Sequence, residues 1–95
     1  QFSAYKDRAY NSDSQASLHN LFLACKAYWA DNGATANCTS AGVTNATYGY
    51  TDSAAVAITD GGTLTETGYT ATAINSAGGN ANGYGIDAAG AISAL

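Results

Sequence analysis

The large apolar residues in the first third of the chain fall on a helical period. Leu18, Phe22, Cys25 and Trp29 follow one another at spacings of four, three and four, which stacks them on one face of an α-helix. Leu21 and Tyr28 widen that stripe, and Phe2, Tyr5 and Ala9 carry the period back to the first residues. No Gly or Pro interrupts the segment, and Ala, Leu, Lys and Gln supply helix propensity. Asp31-Asn32-Gly33 ends it, because Asn and Gly tolerate the left-handed conformation of a helix C-terminal cap. The pattern predicts a helix over residues 1–31. Its beginning lacks a Ser, Thr, Asp or Asn cap before Phe2, so it reads as the lower part of a longer helix.

Residues 32–53 are rich in Ala, Thr, Asn, Ser and Gly and read as a long connecting loop. From residue 54 the period changes to two. Ala54–Thr59 alternates around Val56 and Ile58, and Asp60-Gly61-Gly62 carries a turn signal. Tyr69–Asn75 is a Thr-rich alternating strand, Ser76–Asn82 is turn chemistry, and Gly83–Asp87 and Ala91–Leu95 are short strands, the last with Ile92 buried. An antiparallel sheet of three to four strands over 54–95 needs one face covered, and the helix stripe is the available cover. The expected architecture is a single α+β domain spanning 1–95, with Leu18, Phe22 and Trp29 as the helix–sheet core. A buried Phe22 would make Phe22→Ala cost roughly 3–5 kcal/mol.

With 95 residues the core is small, and a covalent staple is useful. Two cysteines in so short a chain predict a Cys25–Cys38 disulfide and an exported compartment. Closing about 14 residues is worth roughly 3 kcal/mol in the chain-entropy model. Charged residues are 11 % of the chain, and three cations against seven acids give a net charge of -4. That balance argues against a nucleic-acid binder and against a polybasic membrane patch. There is no Met, so Gln1 reads as a processed terminus, and no run approaches the roughly 18–20 apolar residues of a membrane span.

Catalytic chemistry has little to stand on, and neither an enzyme nor a cofactor is expected. His19 is the single histidine, sits among polar neighbours, and faces another side of the helix than Cys25. Asn80, Asn82 and Asp87, and also Asp60 and Glu66, stand in Gly-rich turn regions. They read as turn residues, being too sparse for calcium, which wants six or more oxygens. Asn37-Cys38-Thr39 and Asn45-Ala46-Thr47 match the N-glycosylation pattern. The ten aromatics are explained by core and subunit packing; a charge-transport path is the rival explanation. Phe2 and Tyr5 have little domain to cover them and read as meant to meet either the rest of the helix or a neighbouring subunit; with Ala9 they are the candidate subunit interface.

The opening QFSAYKDRAYNSDSQASLHNLFLACKAYWADNG resembles the helical part of a bacterial type IV pilin that lacks its first, hydrophobic helical half. The tail GYTATAINSAGGNANGYGIDAAGAISAL is similar to the paired terminal strands of small pilins. The disulfide departs from the family's usual loop staple near the C-terminus, so no C-terminal receptor-binding loop is carried over. The resemblance implies a pilus subunit on the cell surface that polymerises with identical subunits into a helical filament. Before assembly it would be anchored in the inner membrane by an apolar segment ahead of Gln1 and handled by the assembly machinery. The filament's task would be adhesion, motility or contact with surfaces and electron acceptors. A pseudopilin or minor pilin, and a free-standing adhesin or binding module, are the alternatives.

Overall fold

The computed structural model describes residues 2–95; the place expected for Gln1 in the helix lies outside them. Helix α1 (Phe2–Asn32) is followed by a connection holding one 3-10 turn (Ala41–Val43). Four strands complete the chain: β1 (Val56–Gly62), β2 (Tyr69–Asn75), β3 (Tyr84–Ile86) and β4 (Ile92–Ala94). The strands pair antiparallel in sequence order, so the sheet is a simple meander. This is the expected α+β arrangement, a long N-terminal helix packed on an antiparallel sheet. The 31 residues of α1, at about 1.5 Å each, make a rod of about 46 Å. The molecule's longest extent is 47 Å, so the helix sets its length.

Strand β2 carries the contact with α1. Its inward positions Tyr69, Ala71, Ala73 and Asn75 are buried and alternate with less buried outward ones. The two alanines leave room for the helix to lie close. Leu18, Leu21, Ala24, Cys25 and Trp29 fill that space, joined by Val56, Ile86 and the loop residues Cys38, Val43 and Tyr50. Trp29 meets Tyr69 edge to face at 5.5 Å between ring centroids, and its Nε1 donates to the Ala36 carbonyl at 2.9 Å. The helix stops where its cap predicts. Gly33 has a φ of +100°, and its N–H donates to the Trp29 carbonyl at 2.8 Å.

Three expectations are corrected. Phe22 is half-buried at the rim, whereas Leu18 and Trp29 are fully inside. The helix is rotated so that Leu21 takes the central place, and Phe22 closes over Gly90, where a Cβ would come within 2.9 Å of its ring. Ser14 and Ser17 continue the buried face where the stripe has no large apolar residue. Second, Asp60, Gly61 and Gly62 are not a turn but the last three residues of β1, paired with Ala71, Thr70 and Tyr69. Gly62, at φ +66°, runs so close to Gly68 that a side chain would meet its carbonyl oxygen. The reversal comes at 63–68 and is closed by Thr63 N–H donating to the Gly68 carbonyl at 3.2 Å. Third, Ile92 is only half-buried, because β4 is a three-residue edge strand.

Cys25 and Cys38 form a disulfide with Cα atoms 5.8 Å apart. It ties the last turns of α1 to the start of the connection. That segment is also stitched to the β1–β2 turn by Cys38 N–H donating to the Leu64 carbonyl and Glu66 N–H donating to the Ala34 carbonyl.

Two stability measurements check this packing. In urea denaturation Leu21→Ala should cost about 2–5 kcal/mol, whereas Leu23→Ala, on the exposed face, should change stability by under about 0.5 kcal/mol. Phe22→Ala should fall below the roughly 3–5 kcal/mol of a fully buried phenylalanine. Replacing Cys25 and Cys38 together by Ser should lower stability by about 2–4 kcal/mol, read by the same method.

Candidate functional site

The first turn of α1 projects free of the sheet. Every residue from Phe2 to Ala9 is exposed, with Phe2 at 71 % and Tyr5 at 65 %. The rest of the molecule first meets the helix at the β2–β3 turn, where Gly78 and Gly79 pass against Asp7, Tyr10 and Asn11. Asn80 N–H donates to Asn11 Oδ1 at 2.7 Å, and Asn75 Nδ2 donates to Asp13 Oδ2 at 3.3 Å. Beyond these contacts the apolar side chains of Phe2 and Tyr5 have no cover, and Lys6 Nζ lies 4.8 Å from the Phe2 ring centre. The three candidate interface residues Phe2, Tyr5 and Ala9 therefore all stand on the uncovered end.

The connecting loop caps the opposite end of α1. Tyr48 packs edge to face on Tyr28 at 5.5 Å and donates its hydroxyl to Asp31 Oδ2 at 3.1 Å. Asn32 Nδ2 donates to the same Tyr48 hydroxyl at 3.1 Å. Asn45 holds the turn from both sides, accepting from Tyr48 N–H and donating to the Gly42 carbonyl. Beside Asn45 opens a shallow hollow of about 520 Å³, lined also by Thr44, Gly49, Tyr50, Thr51 and Asp52. Asp31 and Asp52 are both exposed at this end.

A polar cluster anchors the loop to the sheet, and sequence reasoning missed it. Asp60 on β1 accepts from Ser40 N–H and Ser40 Oγ, each at 3.0 Å, and from the buried Tyr69 hydroxyl. Burial, with the bond to Asp60 and its charge, holds the Tyr69 phenol well above the ordinary tyrosine range. Burial, with the nearby charges of Asp52 and Asp60, pushes Tyr50 up to about 12. The Tyr50 hydroxyl has no hydrogen-bond partner that meets ordinary geometry. No local signal marked it, because Asp60-Gly61-Gly62 reads as a turn until its pairing with Tyr69–Ala71 is known.

The remaining candidates are spent on local structure. Asn80 braces its own turn through Asn82 N–H and the Gly83 carbonyl. Asp87 accepts from Ala89 and Ala91 N–H, Glu66 pairs with Lys26 at 3.1 Å, and His19 is exposed on α1. Among the described residues no group of three or more His, Cys, Asp or Glu could hold a metal ion. No helix of the described residues is long and apolar enough to cross a membrane. No family model, curated protein or solved structure matches the chain.

The Asp60 cluster sets an alkaline limit. Both phenols ionise less readily in the fold than near pH 10, where an unfolded chain releases them. Their contribution is complete below pH 10 and is lost as pH rises through the folded values. Stability measured by circular dichroism should therefore decline from pH 10 to pH 12. At neutral pH Asp60→Ala should cost at least about 2 kcal/mol, because Tyr69 and Ser40 lose their acceptor.

Proposed function

We propose that this chain is a structural subunit of a type IV pilus, carrying the head and the lower part of its assembly helix. One observation supports this most directly: α1 is buried on the sheet from Ser14 to Trp29, while its end from Phe2 to Ala9 is exposed. A helix that overhangs its own domain with aromatic residues has the form needed to continue into an apolar half and pack against other helices. Identical subunits, related by a rotation that does not close, then build an open helical filament. The resemblance of the opening and closing segments points the same way. The disulfide fits an oxidising, extracytoplasmic compartment, and the low charge fits a surface-exposed fibre whose neighbours repel one another weakly. On this reading the partners are further copies of the chain, the assembly machinery and, before assembly, the inner membrane.

The test is mass spectrometry of filaments sheared from the source cells. The chain should be their abundant protein component, with an apolar segment running into Gln1. A secreted protein outside filaments, with a polar terminus near Gln1, would overturn the proposal.

A further inference from the structure

The chain carries the Asn-X-Thr pattern at Asn37-Cys38-Thr39 and at Asn45-Ala46-Thr47, and the fold treats the two asparagines differently. In an exported protein this pattern is an acceptor of N-linked sugar where it stands on a surface loop. Asn45 is spent inside its own turn. Its Nδ2 donates to the Gly42 carbonyl and its Oδ1 accepts from Tyr48 N–H, both at 3.0 Å. Its backbone carbonyl accepts from Gly49 N–H at 2.7 Å. A sugar on Nδ2 takes the place of one of two amide hydrogens and crowds the contact with Gly42. Asn37 is exposed, and its side-chain amide has no hydrogen-bond partner among the described residues. Its neighbours hold the backbone without it. The Ala36 carbonyl accepts from Trp29 Nε1, Cys38 N–H donates to the Leu64 carbonyl, and Cys38 is bonded to Cys25. Thr39 Oγ1 accepts from Gly42 N–H at 3.1 Å. The folded chain therefore presents a free carboxamide at Asn37, where a bulky group displaces no contact of the fold.

We propose that Asn37, and not Asn45, is a site of N-linked glycosylation. The sugar comes from a lipid-linked oligosaccharide diphosphate, and an oligosaccharyl transferase makes the bond. The bond from the sugar's C1 to Asn37 Nδ2 forms, and the bond from C1 to the diphosphate oxygen breaks. One Nδ2 proton passes to a base of the transferase, and the lipid diphosphate leaves. Nothing is oxidised or reduced. The Cys25–Cys38 disulfide fits an extracytoplasmic compartment, which is where such transfer takes place. A sugar at Asn37 also adds hydration to a chain with only 11 % charged residues. The proposal does not depend on the filament reading.

Mass spectrometry of the chain isolated from its source cells tests this. The peptide holding Asn37 should carry a carbohydrate mass increment and release sugar fragment ions, and electron-transfer fragmentation should place the increment on Asn37. Asn45 should be unmodified in the same chains. Made in the same cells, N37Q should lose the increment and N45Q should keep it. T39A should lose it although Asn37 is present, and T39S should keep it, because the acceptor pattern needs a hydroxyl two residues after the asparagine. An unmodified Asn37 in the isolated chain overturns the proposal. So does a sugar on Asn45, and so does an increment that survives in N37Q, which would be attached to a Ser or Thr hydroxyl instead. Each result is read from the chain wherever it is found, so it is separate from the test of whether filaments contain this protein.

Discussion

Everything in this molecule hangs on the contact between one face of α1 and strand β2. Ala71 and Ala73 are small enough to let the helix lie near the sheet, and Leu18, Leu21, Cys25 and Trp29 fill the space that results. With so few charges and so short a chain, this apolar layer is the main source of cohesion. The other strands are attached through β2: β1 along its whole length and β3 over three residues, with β4 added to β3. The disulfide reinforces the same contact, holding the last turns of the helix to the loop that closes over Trp29.

That contact covers only part of the helix, and the consequence is an asymmetric rod. Beyond the β2–β3 turn, which reaches Asp7, Tyr10 and Asn11, the helix continues into water with the aromatic side chains of Phe2 and Tyr5. At the other end the loop folds back over Tyr28 and Asn32 and presents acids. A globular domain of the same composition would mix these features over its surface. Here a helix as long as the molecule holds the uncovered aromatic end far from the loop-capped end.

The long connection is ordered by polar rather than apolar means. Asp60 binds Ser40 and Tyr69, Asn45 closes the turn before Tyr48, and backbone bonds lace residues 34–38 to the β1–β2 turn. Leu64, at a φ of 63°, accepts a left-handed conformation there. Such a conformation is uncommon for a residue with a side chain. The surrounding bonds to Cys38 and Glu66 hold the turn in place despite it.

Periodicity was enough to determine the helix, its C-terminal cap, the antiparallel class and the location of the strands, because each follows from neighbours a few residues apart. The disulfide followed from there being two cysteines to pair. The uncovered aromatic end was legible too, since Phe2 and Tyr5 precede anything that could bury them. What only the tertiary structure decided was how those elements meet. The rotation of α1 put Leu21 inside and Phe22 at the rim, because the stripe is broad enough to allow either and the shape of the sheet selects one. Asp60-Gly61-Gly62 reads locally as a turn, yet pairing with Tyr69–Ala71 draws it into a strand. The bond from Asp60 to Ser40 joins residues twenty apart, and that from Asn75 to Asp13 sixty-two apart. Interactions over such distances leave no periodic trace, because they depend on where the folded chain returns and not on what stands beside each residue.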